Sequence, residues 1–265
     1  MFNNSGSSHA APIITMKNVV FEHSHPDYGI AHRTEIDRLQ IDKGECAVVV
    51  GQVGSGKSTL MNALGCLKRP KSADTFEIAD EIVSQLWSDL RLCDRFRSNV
   101  VGIARQHVEL SPALTVRENI ELPLSLAGRR DDKLVDELLR GLSNQSTQDL
   151  VRLQDRVVHK MFLSGGQRQS IGMARALVNQ PLLLLADEPT SSLDMQTAKS
   201  MLDFLNMLRE RNGMTIVTVT HQPELFDNMA TQFVELTCPR PGLGVIDRSL
   251  SGSHHDVLLS RVHST

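Results

Sequence analysis

Three absences narrow the class of this chain before any motif is read: it has no paired cysteines, no bilayer-length apolar run and no large excess of either charge. The 4 cysteines, Cys46, Cys66, Cys93 and Cys238, form no CxxC pair and sit in apolar or mixed segments. That spacing excludes a disulfide-stapled secreted scaffold and predicts buried, reduced thiols in a cytosolic protein. No segment approaches the roughly 18 apolar residues of a membrane span; the nearest is Leu182 to Ala186, so membrane attachment has to come through a partner. With 28 basic and 31 acidic residues the formal net charge is −3, which argues against binding nucleic acid by neutralising phosphates over a broad surface. No nucleic-acid partner is expected. The opening residues Met1 to Ser8 lack the basic flank and apolar stretch of a secretory leader, which again predicts a cytosolic chain.

What is present is a chain of 265 residues, 40% apolar, ample for a sizeable core. Residues 1–11 are small, polar and aperiodic and read as a disordered arm. Ile13 to Phe21 and Arg38 to Ile41 have strand-like patterning. The run Cys46-Ala47-Val48-Val49-Val50 is continuously apolar and β-branched, as in a strand buried on both faces. It leads into Gly51-Gln52-Val53-Gly54-Ser55-Gly56-Lys57-Ser58-Thr59 and a helix over 57–67. Strand, glycine loop and helix form the context in which this pattern is a phosphate loop. Its glycines let backbone N–H groups turn toward phosphates, the helix points its positive end at them, Lys57 supplies a point charge, and the Ser58 hydroxyl is a hard oxygen ligand suited to Mg²⁺.

Further along, Leu182-Leu183-Leu184-Leu185-Ala186 is a buried strand ending in Asp187-Glu188, followed by a helix over 197–211 stopped at Asn212-Gly213 and a strand over 215–219. A carboxylate at such a strand end is costly unless solvated or linked to a metal, which marks Asp187 as a Mg²⁺ partner. Between the two nucleotide motifs lies Leu163-Ser164-Gly165-Gly166-Gln167, opening a helix over 168–178; its hydroxyl and glycine amides at a helix start make a second anion-binding surface. Only one phosphate loop is present and no internal repeat is visible.

These three motifs in this order resemble the ATPase subunit of an ATP-binding cassette (ABC) transporter, over roughly residues 12–240. The resemblance implies an α/β fold with a P-loop NTPase core on a mainly parallel sheet, an antiparallel β subdomain and an inserted helical subdomain at about 107–178, with 241–265 as a loosely docked C-terminal tail. It also implies roles, position by position. Glu188 polarises the attacking water; His221, after the strand over 215–219, contacts the γ-phosphate; and Gln106 touches Mg²⁺ while joining core to helical subdomain. Ser191-Ser192-Leu193-Asp194 is the subunit-contacting D-loop, centred on Asp194. Ser164, Gly165, Gly166 and Gln167 cover the nucleotide of a second cassette, a homodimer arranged head to tail, so that ATP and Mg²⁺ are cofactors and an integral membrane permease is the other partner. The chain is then peripheral on the cytoplasmic face of the membrane.

The chain departs from the family pattern at several places. His23 stands near the usual adenine-stacking tyrosine, with Tyr28 as the other nearby aromatic; Ser170 stands where many relatives have arginine; and Gln222-Pro223 follows His221 where an acidic residue is common. His23, His25 and His32 are too irregularly spaced, in a loop-like segment, to make a metal site. Glu118-Asn119-Ile120-Glu121-Leu122-Pro123-Leu124 with Leu126-Ala127-Gly128 resembles the lipoprotein-release and macrolide-export branch, although importers share parts of it. The competing expectation is a soluble or scaffold cassette that serves cofactor assembly, macromolecule remodelling or cell-division control.

Overall fold

The computed structural model describes residues 11–25, 29–143, 150–160, 162–240 and 243–251. The expected arm at 1–11 lies almost wholly outside the described residues, as do Tyr28 and the tail beyond Ser251.

The fold grows from strand β3 (Cys46–Gly51), whose residues alternate between two cores. Cys46, Val48 and Val50 point into one apolar cluster and Ala47 and Val49 into the other, the signature of a strand buried on both faces. β6 (Val101–Ala104), β7 (Leu183–Asp187), β8 (Thr215–Val219) and β9 (Gln232–Arg240) join β3 in a parallel block. An antiparallel block carries β1 (Pro12–His25), β2 (Gly29–Asp42), β4 (Thr75–Ile78) and the short β5 (Glu81–Ile82). β10 (Leu243–Ser251) links the blocks, antiparallel to β9 and parallel to β2, giving the order β5-β4-β1-β2-β10-β9-β3-β8-β7-β6. The expected combination of a mainly parallel sheet, antiparallel strands and inserted helices is what the chain adopts.

Helix boundaries follow local chemistry. α1 (Lys57–Leu64), shorter than the expected 57–67, starts directly from the glycine loop. After α2 (Val83–Leu86), α3 (Leu90–Val100) begins at Asp89, which accepts from the Arg91 amide. α4 (Val116–Leu126) starts with a reciprocal capping box between Thr115 and Glu118. α5 (Asp132–Gly141) is capped by Asp131 and leads on to the single turn α6 (Leu150–Leu153). α7 (Gly165–Leu177) opens at Ser164, and α8 (Met195–Asn212) ends at Gly213, whose φ of 66° is the left-handed turn that glycine allows. Fully buried Asn119 ties the start of α4 to the preceding loop, accepting from the Ser111 amide at 2.8 Å and donating to the Ser111 carbonyl at 3.1 Å.

Two expectations change. The segment around His23 and His32, read as loop-like, is strand backbone: β1 and β2 are long hairpin partners and place His23 opposite His32. Residues 243–251, read as a loosely docked end, hydrogen-bond into the sheet as β10. The prolines and glycines around 239–244 disguise that strand, because they break the alternation by which a strand is recognised. Three of the four thiols follow the sequence: Cys46, Cys66 and Cys93 are buried, and burial pushes the Cys46 and Cys66 thiols up to about 12, whereas Cys238, on β9 near the Pro/Gly-rich segment, is only partly buried.

Candidate active site

The C-terminal ends of β3, β7 and β8 carry the phosphate loop, Asp187-Glu188 and His221, the edge at which parallel α/β sheets hold ligands. In the loop, Gly54 and Gly56 have φ of 82° and 99°, conformations that turn backbone amides inward and that side chains resist. Gly56 is also the residue from which α1 starts, with no side-chain cap, so the first amides of α1 face the loop's concavity. Lys57 Nζ spans that concavity, donating to the carbonyls of Gly51 at 2.7 Å and Gln52 at 2.8 Å. Ser58 is exposed, Thr59 partly so, and Val53 projects from the loop tip.

Two neighbours that sequence reading missed brace this loop. Thr34 of β2 is fully buried, and a Cβ on Gly56 would stand 2.7 Å from its Oγ1. Gly244 of β10 comes closer: a Cβ there would stand 2.0 Å from the Ser55 carbonyl oxygen. Gly244→Ala is therefore expected to push Ser55 and distort the amide cradle, weakening ATP binding about tenfold, given overpacking costs of about 1–3 kcal/mol. Nucleotide titration checks it; wild-type affinity would mean that β10 does not bear on the loop. A single glycine at the edge of a Pro/Gly-rich segment carried no signal of this contact.

Asp187 and Glu188 lie within electrostatic range of Lys57. Burial holds both carboxyls above the usual carboxylate range, with Lys57 and His221 pulling them part of the way back. Glu188 is 7% exposed and adopts a left-handed backbone, φ 51°, which is unusual for a glutamate. Its Oε1 is buried and makes no hydrogen bond; His221 Nε2 stands 3.6 Å away. Gln106 is exposed and shares with Asp187 and Arg175 a polar cleft of about 520 Å³.

The Ser164 hydroxyl accepts from the Gln167 amide at 3.1 Å while Gln167 Oε1 accepts from the Ser164 amide at 2.9 Å. The serine proton stays free to donate to an anion. Gly165 lets the start of α7 approach Ser192, with a Cβ there 3.3 Å from the serine Cβ. Buried Gln169, also missed in the sequence, ties these surfaces together: it donates to the Glu188 carbonyl at 2.5 Å and accepts from the Ser192 amide at 3.0 Å. A polar residue on the apolar stripe of α7 was the available signal. Gln169→Leu takes the acceptor from the Ser192 amide and leaves the Glu188 carbonyl only its bonds from Ser191, whose hydroxyl donates to it at 3.1 Å, and a loss of about 1–3 kcal/mol of stability is expected, read from the urea unfolding midpoint. Asp194 caps α8, accepting from the Thr197 amide at 3.0 Å and hydroxyl at 2.6 Å, bonds that hold its carboxyl below the usual range. The His23 side chain lies outside the described residues, and Tyr28 does so entirely, so the adenine contact expected there is not located.

Comparisons with known proteins agree with this geometry. The family model described as "ABC transporter" matches residues 35–191. An uncharacterized ABC transporter ATP-binding protein, YknY of Bacillus subtilis, is 38% identical over 201 residues, 76% of this chain and 82% of that protein. The lipoprotein-releasing system ATP-binding protein LolD 1 of Chlorobium chlorochromatii is 36% identical, covering 75% of this chain and 77% of that protein. The methionine import ATP-binding protein MetN of Ralstonia nicotianae is 38% identical over 76% of this chain and 55% of that protein. Among solved structures, the ATP-binding cassette MJ0796, in a dimeric post-hydrolysis state bound to ADP and Pi, superposes with a TM-score of 0.74 at 28% identity, covering 90% of this chain and 98% of that one.

Proposed function

The chain belongs to the ABC transporter family as an ATP-binding subunit, and from that premise we propose an ATP-driven motor for export or for lipid or lipoprotein extraction, working as a head-to-tail pair of identical chains beneath a separate membrane permease. Among the described residues no helix is long and apolar enough to cross a membrane. A permease partner would hold the chain at the cytoplasmic face.

One observation carries the reading: Lys57, Asp187, Glu188 and His221 converge at one sheet edge, while Gln169 ties that edge to the start of α7. In this proposal the amides of Gly51 to Thr59 and the positive end of α1 cradle the β- and γ-phosphates, and Lys57 exchanges its loop carbonyls for phosphate oxygens. Ser58, Gln106 and Asp187 are oxygen donors that fit Mg²⁺, an ion that binds through few protein oxygens and completes its shell with phosphates and water. The half-buried Asp187 carboxyl is raised by desolvation, and a cation beside it would favour its ionised form. Bound there, the ion would neutralise phosphate charge. Glu188 accepts the proton of the attacking water at its hydrogen-bond-free Oε1, and His221 orients that water and the γ-phosphate. The two carboxyls and Lys57 share one water-restricted edge, where the charges act at raised strength.

The export assignment rests on the Glu118 to Gly128 segment and on LolD 1; a methionine-import relative of similar identity favours an importer instead. Co-purification from detergent separates them. A partner with few spans and a large outer domain supports extraction or export, a many-span partner without that domain supports import, and recovery of ribosomes or nucleic acid without a membrane protein would overturn both.

A further inference from the structure

Phe162 is the most exposed of the large apolar side chains described, at 98%. Every other phenylalanine among the described residues belongs to a core: Phe21, Phe76, Phe96, Phe226 and Phe233 are buried, and Phe204 packs partly buried against the same clusters. The position of the exception is specific. Leu163 is 2% exposed and anchors in the core beneath α7, while Phe162 before it and Ser164 after it are both exposed. In extended chain, alternate residues share a side. Phe162 and Ser164 therefore look outward together, with Ser164 held by its capping box at the head of α7.

We propose that Phe162 lays its ring against the purine base of the ATP held by a second copy of this chain. The inference rests on the head-to-tail pairing proposed above, in which Ser164 meets the γ-phosphate of that nucleotide. Two residues of extended chain span roughly 7 Å. Adding the reach of the phenyl side chain carries Phe162 from the phosphate end toward the nucleoside end. A flat apolar ring and a flat base match in shape, and stacking between them tolerates either face. The ring also explains how a fully exposed phenylalanine is retained beside a polar motif: it is covered only when nucleotide and partner are both present.

The test uses the full chain in a Glu188→Gln background, with dimer formation followed by size-exclusion chromatography as ATP is titrated. Phe162→Ala is expected to raise the ATP concentration at half-dimerisation roughly tenfold, the scale of one lost base–aromatic stack. Phe162→Tyr should restore the midpoint and Phe162→Leu should not, because leucine replaces the apolar area without the planar face. An unchanged midpoint in Phe162→Ala, or full rescue by Phe162→Leu, overturns the stacking role while the head-to-tail pair stands. An equal loss of ATP affinity in dilute single subunits overturns it too, by placing the contact within one chain. If Glu188→Gln with native Phe162 stays monomeric at saturating ATP, the pairing itself falls and this inference with it.

Discussion

Glu188→Gln is expected to slow ATP turnover by about 10²- to 10⁴-fold, the usual contribution of a positioned general base, while ATP stays bound and the two chains stay paired. The amide keeps the shape of the carboxylate and can fill the same space beside His221, but it has no basic oxygen. The buried Oε1, which makes no hydrogen bond, becomes either an amide oxygen or an amide nitrogen, and neither accepts a proton from water. Single-turnover hydrolysis and size-exclusion chromatography in ATP check both halves: near-normal turnover, or a monomer only, would contradict the assignment.

The same substitution has a pH signature. Burial raises the Glu188 carboxyl above its ordinary value, so on acidification the base should be lost at a higher pH than an unperturbed glutamate near 4.3 would give. That acidic limb should vanish in the variant. Linkage fixes the sign for stability: between the unfolded and the raised folded value the native state binds more protons, so stability falls as pH rises through that window. Above that window the ionised, desolvated Glu188 therefore opposes folding. Glu188→Gln should unfold at a temperature no lower than the parent. A proposed catalytic group that costs stability, with a left-handed φ of 51°, fits the pattern of strain held at functional sites.

How much of this was legible in sequence divides along physical lines. The phosphate loop, Asp187-Glu188 and the start of α7 were readable because each is a local device: glycine conformations, a carboxylate at a strand end, a capping serine. Their parent strands were readable for the same reason, since β3 and β7 are apolar runs up to their last residues and β8 is a wholly β-branched run of Thr, Ile and Val buried throughout. The supports were not. Thr34 braces Gly56 from a strand 22 positions earlier in the chain, and Gly244 meets Ser55 from nearly two hundred residues away. No periodicity encodes such contacts, because they arise only when β2 and β10 pair beside the loop. Gln169 is intermediate. Its helix was expected, but only the packing of α7 against the strand ends shows that one side chain holds both the Glu188 carbonyl and the Ser192 amide.

Ser164→Arg is expected to abolish turnover in the paired state while sparing ATP binding by a single subunit. In the proposed pairing the residue never touches its own chain's nucleotide. Arginine places bulk and positive charge at the N-terminal end of α7, where the helix dipole favours anions, and it removes the hydroxyl that accepts from the Gln167 amide. Loss of the cap costs on the order of 1 kcal/mol, so thermal unfolding must accompany the assay to show that the chain still folds. Mixing this variant with Glu188→Gln protein then reports which chain donates the serine. If Ser164 acts on the partner's nucleotide, a mixed pair gathers both lesions into one composite site and leaves the other intact, so single-turnover hydrolysis reappears on mixing. If Ser164 acts within its own chain, each site carries one lesion and mixing restores nothing. The two geometries thus differ in sign, recovery against none, rather than in degree. A mixture as inactive as its parents, or a Ser164→Arg subunit that no longer binds ATP alone, would place the contact within one chain and end the head-to-tail proposal.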